Sequence, residues 1–132
     1  MSSNAPSIDI KDMIEDSNSG LSLVFNTDLF IASMPDSPHD CICIYDTGGG
    51  EQGQYNFERP NVQIRIRNLD YITGYNLARD IKDYLHQARN GETWNGTRYI
   101  SIDLRSAILF LGQDDKNRYE FTINFLINRS GN

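Results

Sequence analysis

Two segments in which apolar and polar side chains alternate strictly place the strongest constraint on the fold of this chain. In residues 62–67 the apolar positions are Val62, Ile64 and Ile66. Residues 119–128 follow the same period of two, with apolar Phe121, Ile123, Phe125 and Ile127. Only a β-strand sends successive side chains to opposite faces. We therefore expect two strands, each with one face on a core and the other face polar.

Shorter apolar segments predict further strands at residues 21–25, 29–32, 41–45, 99–105 and 107–111. In residues 99–105 the alternation predicts that Ile100, Ile102 and Leu104 point inward. Asn95-Gly96 lies between β-forming residues and predicts a hairpin over residues 93–98. A second turn is expected at residues 114–117.

Residues 71–89 have a helical period and form the longest predicted helix, which Asp70 caps and Gly91 ends. Its predicted apolar stripe consists of Ile72, Tyr75, Ala78, Ile81 and Leu85. A shorter amphipathic helix is predicted over residues 7–16. The element order predicts an α+β fold: a mostly antiparallel sheet with one long helix packed on it and a short N-terminal helix.

The length of 132 residues fits one domain spanning residues 1–132. A flexible glycine-rich loop is expected at about residues 46–60, and a frayed tail at residues 129–132. The formal net charge is −6, which disfavours a protein that works by neutralising phosphates. The sequence has no signal-peptide pattern and no apolar run of about 20 residues, so we expect synthesis in a cytoplasm and no membrane contact.

Cys41 and Cys43, with His39 before them, form the pattern His-x-Cys-x-Cys. A structural zinc site needs four ligands, and no second ligand pair is present in the sequence. On a strand both thiols point to the same face, where cysteine packs as a small apolar residue. We therefore expect buried or half-buried thiols rather than a metal site.

Residues 48–53 match the pattern Gly-x-Gly-x-x-Gly of nucleotide-binding loops. That chemistry needs a helix that begins at the loop, and here the chain runs on to another strand. Two interpretations remain: a mobile loop, or a loop that becomes ordered on a protein partner. The second interpretation uses the polar and aromatic side chains between Gly48 and Arg59.

Arg65, Arg67 and Arg105 fall on the polar faces of predicted strands and suggest a basic stripe on an acidic protein. The alternative is plain solvent exposure or local ion pairs. The sequence gives little evidence of a catalytic motif. The carboxylate pair Asp114 and Asp115 is expected at a solvated hairpin tip. We therefore expect no enzyme activity and no cofactor.

Two stretches resemble the minor capsid and tail-terminator proteins of long-tailed bacteriophages. The first is residues 55–67, with the helix that ends in Leu85-His86; Arg59, Pro60, Gln63 and Arg65 match the family pattern. The second contains Asn95-Gly96 and the turn Leu111-Gly112-Gln113-Asp114 before the last alternating strand. Asn117 stands where a glycine is usual in that family, and asparagine also accepts left-handed geometry.

This resemblance implies a small virion structural protein that forms a six-membered ring on the tail tube and contacts a head-tail connector protein. It also implies that DNA passes through the ring without specific binding, and that the protein is located in the tail or neck of the virion. The main alternative is a neck or head-completion protein of the same junction. A small cytosolic binding module is the alternative from another class.

For the ring, the residues expected to contribute to protein contacts are Gly48, Glu51, Gln54, Tyr55, Phe57, Arg59, Arg65, Arg67 and Arg105. They combine a loop that can lie across a neighbour with the suggested basic stripe. Head-to-tail rings need two such unlike surfaces on each copy.

Overall fold

The computed structural model describes residues 3–49 and 57–130. These residues form two α-helices, α1 (Pro6–Glu15) and α2 (Tyr71–Leu85), and a 3-10 turn at Ser17–Ser19. They also form eight strands: β1 (Leu29–Ile31), β2 (Cys41–Gly49), β3 (Phe57–Glu58), β4 (Pro60–Asn68), β5 (Thr93–Trp94), β6 (Thr97–Leu104), β7 (Leu109–Gln113) and β8 (Tyr119–Ser130).

The strands form one mixed sheet in the order β1-β2-β4-β8-β6-β5, and β3 and β7 also pair with β8. β1 and β2 are parallel, and the other pairs are antiparallel. At the centre of the sheet, Ile64 lies opposite Ile44 on one side and Ile123 on the other. The two strands predicted from strict alternation are thus neighbours, because β4 pairs with β8 along most of its length.

A single core lies between one face of this sheet and the two helices. The sheet contributes the apolar side chains of β2, β4, β6 and β8, and α1 contributes Ile10, Met13 and Ile14. α2 contributes Ala78, Ile81 and Leu85. All of these helix side chains are fully buried, so the short N-terminal helix contributes as much to the core as the longer helix does.

The predicted α+β fold, with one long helix on a mostly antiparallel sheet, is wrong: the protein is mostly β, with a mixed sheet and two short helices. α2 ends at Leu85 because the next residues bind the edge of β6 instead of continuing the helix. His86 is extended, and its Nδ1 accepts a hydrogen bond from the Leu104 N–H at 2.8 Å. The Asn90 carboxamide oxygen accepts another from the Ile102 N–H at 3.0 Å.

The predicted apolar stripe of α2 is correct only in its second half. Ile72 has 67% of its surface exposed, and Tyr75 is also exposed. The buried residue of the first turns is Gly74, where an added Cβ would lie 3.0 Å from the Phe121 ring. The missing side chain lets α2 approach the sheet closely, and this approach turns Ile72 and Tyr75 outward.

Residues 21–25 were predicted to form a strand, but Phe25 forms only an isolated bridge with Leu29. Ser22 and Asn26 both have positive φ angles, which interrupt an extended conformation. Leu21 and Leu23 still pack against the core.

The ends of the predicted 46–60 loop are strands, because β2 continues to Gly49 and β3 begins at Phe57. Gly49 has φ +133°, and an added Cβ would lie 2.3 Å from the Arg59 carbonyl oxygen. Residues 50–56 of the predicted flexible loop lie outside the described residues, and the flexibility of the loop stays a prediction. The predicted frayed tail is wrong for Arg129 and Ser130, which belong to β8 and pair with β3.

Ile100 was predicted to be buried beside Ile102, but a register shift between Tyr99 and Ser101 turns Ile100 outward. Ile100 is 40% exposed, whereas Ile102 is 0% exposed.

We expect Ile102→Ala to lower the free energy of unfolding by about 2–4 kcal/mol, because it leaves a cavity in the core. Ile100→Ala is the matched control and should cost less than about 1 kcal/mol. Urea unfolding of both variants measures the difference, and equal losses would contradict the register shift.

Candidate interaction surface

The predicted contact residues Gly48, Phe57 and Arg59 surround the described ends of the 46–60 segment. Gly48 is exposed in β2 with φ +90°, and Phe57 is exposed in β3 opposite Ser130. Arg59 is exposed between β3 and β4. Glu51, Gln54 and Tyr55 lie outside the described residues.

The structure brings Arg59 together with Arg105, which is 46 residues away in sequence. The Arg105 N–H donates a hydrogen bond to the Asn124 carbonyl at 2.8 Å, so the backbone of Arg105 continues β6 along β8. Both arginines line an open groove of about 430 Å³ with Gly49, Asn61, Leu126 and Asn128. Neither guanidinium forms an ion pair with any residue in the described part of the chain. We call this surface the arginine groove.

Arg65 has a local partner on the same open face of the sheet. Its Nη1 atom lies 3.7 Å from Glu120 Oε1, on the adjacent strand β8. The interpretation as a local ion pair therefore applies to Arg65, whose side chain is partly exposed. Its charge is partly compensated, and it differs from Arg59 and Arg105 in this respect.

Arg67 is buried and does not contribute to a surface stripe. Its guanidinium donates hydrogen bonds to the carbonyls of Pro35, Pro38 and His39 at 2.6–3.0 Å. A further contact joins Nη2 to Cys41 Sγ at 3.3 Å. Arg67 therefore holds residues 35–41 against the sheet, and the predicted stripe of Arg65, Arg67 and Arg105 is wrong because the three arginines have three different environments.

Both thiols are free and buried on the β2 face that points away from the helices. Burial raises the pKa of Cys41 and of Cys43 above the usual thiol value. His39 is exposed, and its backbone carbonyl is bound to Arg67. No group of three potential metal-binding side chains occurs among residues 3–49 and 57–130. The pair behaves as packing residues on a strand.

Asp114, which was predicted to lie in a solvated turn, binds Arg118. The Arg118 Nε donates to Asp114 Oδ2 at 2.7 Å, and the Arg118 Nη2 atom lies 3.1 Å from Asp36 Oδ1. Burial opposes ionisation of Asp114, but hydrogen bonds from the Arg118 backbone and side chain lower its pKa to about 2. The Lys116 ammonium, followed by Arg118, lowers the pKa of Asp36. This cluster joins the 114–118 turn to the segment that Arg67 holds.

A carboxylate whose pKa is lowered by folding stabilises the folded state at pH values above the pKa that the group has in the unfolded chain. For aspartate that value is about 3.9. This contribution is lost as the pH falls through the folded pKa of about 2. We therefore expect the free energy of unfolding to fall between about pH 4 and pH 2. Asp114→Asn should flatten this pH dependence, as chemical unfolding at a series of pH values would measure. An unchanged slope would contradict the role of the Arg118 contact.

One border of the arginine groove is anchored to a buried polar network. Arg129 donates from Nε to Glu58 Oε1 at 2.9 Å, and Glu58 precedes Arg59. The Arg129 Nη1 atom also lies 3.2 Å from the Tyr99 hydroxyl oxygen and 3.5 Å from Asp9 Oδ2. Asp9 is fully buried in α1 and also accepts a hydrogen bond from Asn95 Nδ2 at 2.6 Å. This network connects α1, β3, β6 and β8.

A second exposed surface was missed by the sequence analysis. It consists of the side chains at the start of α2 and on β7, and we call it the apolar patch: Leu69, Tyr71, Ile72, Tyr75 and Phe110. Ile72 and Tyr75 were assigned to the core because their spacing matches the helical stripe. The sequence feature that could have indicated this surface is the apolar run at residues 108–111. It does not alternate, and most of it lies on β7 at the edge of the sheet.

Residues 13–130 match the family described as bacteriophage tail terminator protein. The fold is also similar to a chain of a solved structure described as the virion of a native gene transfer agent particle. The TM-score is 0.73 with 11% sequence identity, and the similarity covers 96% of both chains. No curated protein sequence matches this chain.

Neither described helix is long and apolar enough to cross a membrane.

Proposed function

We propose that this chain, which belongs to the bacteriophage tail terminator protein family, forms a ring of about six copies that closes the tail tube and joins the tail to the head. It is a structural protein of the virion tail. The observation that carries the proposal is the family match over residues 13–130. The partners in this role are further copies of the chain, the tail tube protein and a connector protein of the head.

A ring requires a head-to-tail contact between two unlike surfaces, because like surfaces that meet close a dimer. The arginine groove supplies one surface of suitable chemistry: beside the exposed Leu126 are two guanidinium groups without an ion pair to any described residue. An acidic neighbour complements such a groove, and the chain as a whole has a net charge of −6. Gly48, Phe57 and the segment with Glu51, Gln54 and Tyr55 adjoin the groove in sequence and extend the proposed contact.

Passage of DNA requires that the ring does not hold the phosphates. An acidic protein repels the phosphate backbone, whereas a lumen lined with free Lys and Arg would bind it in a salt-dependent manner. The excess of 18 acidic over 12 basic residues is consistent with a conduit. In this proposal DNA therefore moves through the ring without being bound specifically.

Electron microscopy of a phage that lacks this protein tests the role. Overlong tail tubes would support termination of the tube, because nothing would then stop polymerisation. Tails of normal length beside unjoined heads would contradict termination and indicate a head-completion protein. Restoring the protein from a plasmid is the control, and it should restore both tail length and joining.

Charge reversal in the groove tests the proposed contact. We expect the double variant Arg59→Glu/Arg105→Glu to remain folded, because both side chains are exposed and have no ion pair with described residues. It should reduce the association of subunits at least tenfold, measured as ring content of purified tails or by light scattering. Arg98→Glu is the matched control, because Arg98 is also exposed but does not line the groove. Equal effects of the two changes would contradict a specific contact.

A further inference from the structure

The apolar patch is held in a defined shape by packed aromatic rings. The Tyr71 ring lies 5.2 Å from the Phe110 ring and 5.2 Å from the ring of Phe121, and both pairs are edge-to-face. The Tyr75 ring lies 6.0 Å from that of Phe121. Phe121 is buried and belongs to the core, so the patch is attached to a rigid support. A rigid, exposed aromatic surface loses little conformational entropy on binding.

The size of the patch is appropriate for one side of an interface. Its five members each expose between 39% and 67% of their surface. With roughly 200 Å² for each large side chain, they present on the order of 450 Å² of apolar surface. One partner of a stable interface contributes about 800 Å², of which the centre is apolar and the rim polar. The patch therefore has the area of an interface core.

Two acidic side chains border one end of the patch, next to Leu69 and at the start of α2. Asp40 accepts a hydrogen bond from the Leu69 N–H at 2.8 Å, and Asp70 caps α2 through Thr73. Hydrogen bonds from the Thr73 side chain and backbone lower the pKa of Asp70, so its carboxylate is ionised at neutral pH. The arginine groove has the opposite chemistry, with two guanidinium groups beside Leu126 that form no ion pair within residues 3–49 and 57–130. The two surfaces are complementary in charge, and each contains apolar side chains.

The two surfaces face in different directions. Phe110 lies opposite Phe121 on the face of β8 that carries α2. Leu126 is exposed between the buried residues Phe125 and Ile127, so it lies on the other face of β8. Leu126 is five positions after Phe121, which is about 17 Å along a strand. A head-to-tail contact needs surfaces arranged in this way.

We propose that the apolar patch of one copy binds the arginine groove of a second copy of this chain. The inference rests on the proposed ring and assigns the two surfaces that form its repeated contact. The apolar patch packs against Leu126 of the neighbour, while Asp40 and Asp70 face the neighbour's Arg59 and Arg105. Pairing of two apolar patches leaves Asp40 and Asp70 of both copies without the guanidinium groups that the groove offers.

Cross-linking in assembled virions tests this contact on the protein in its natural setting. The variant Ile72→Cys/Leu126→Cys places one thiol on each surface, and both side chains are exposed. The two positions lie on opposite faces of the sheet, so a short bis-maleimide of about 10 Å cannot join them within one copy. Cys41 and Cys43 are buried, and wild-type virions are therefore the blank.

We expect the double variant to give a ladder of dimers and larger multiples of 15.1 kDa, at least tenfold more intense than with either single variant. Ile72→Cys/Asn18→Cys is the control pair and should give no ladder, because Asn18 is exposed on the 3-10 turn after α1 and does not line the groove. Tyr75→Cys replaces Ile72→Cys if the first variant does not assemble, because Tyr75 lies on the same patch.

Three results would overturn the proposal. Dimers from Ile72→Cys alone would indicate that two apolar patches meet. Cross-links from Ile72→Cys only to a different virion protein would assign the patch to that partner. No ladder in virions whose tails end at the normal length would reject this contact while the terminator role stands. Normal tails in a phage without the protein would instead reject the proposed function itself.

Discussion

Replacing Arg129 with methionine is expected to lower the free energy of unfolding by about 3–5 kcal/mol. The Arg129 side chain is buried and binds Glu58, Tyr99 and Asp9. Methionine fills similar volume but leaves the fully buried Asp9 carboxylate without its cation. Burial and the Asp9 carboxylate raise the pKa of Tyr99, and a tyrosine side chain carries no positive charge in either protonation state, so Tyr99 cannot replace the lost guanidinium.

Urea unfolding followed by circular dichroism measures this loss. Glu58→Gln is the matched control, because Glu58 is 34% exposed at its side chain and its loss leaves the Asp9–Arg129 contact in place. This control should cost less than about 1 kcal/mol. A double variant Asp9→Asn/Arg129→Met should be more stable than Arg129→Met, because the unpaired buried charge of Asp9 is removed as well. Equal stability of the single and double variants would contradict a charge-based explanation.

Replacing Arg67 with alanine is expected to cost about 2–4 kcal/mol, because it leaves buried carbonyl groups without donors. The guanidinium donates hydrogen bonds to three backbone carbonyls in residues 35–39. A lysine ammonium cannot reproduce this planar set of donors. Arg67→Lys should therefore recover only part of the loss. The segment held by Arg67 lies beside Cys41, whose thiol contacts the guanidinium.

Loss of the Arg67 contacts should also let residues 35–41 detach locally from the sheet. The rate at which a maleimide dye labels the thiols measures this local detachment independently of global unfolding. We expect Arg67→Ala to increase the labelling rate of Cys41 at least tenfold under conditions in which the protein stays folded. Arg65→Ala is the control, because Arg65 lies on the same strand but is partly exposed and makes only the 3.7 Å contact with Glu120. Labelling that is unchanged in Arg67→Ala would show that another contact holds residues 35–41.

The family resemblance inferred from short turn and strand patterns is confirmed by the match over residues 13–130. The candidate site could be predicted less well. Arg59 and Arg105 were both named from sequence, but their meeting in one groove depends on how β6 continues along β8. The apolar patch was missed because helical spacing alone does not distinguish a stripe that packs on the sheet from one that stays exposed.

The local pattern was sufficient for the strands of the sheet centre, for the shared face of Cys41 and Cys43, and for the start of α2 at the Asp70 cap. These features follow from the period of two and from hydrogen bonds within a few residues. Tertiary structure alone decided where α2 ends, which of its apolar residues are buried, and which arginines have an ion-pair partner in the described part of the chain. Those outcomes depend on contacts between distant segments, such as Arg129 with Asp9 across 120 residues, which no local periodicity encodes.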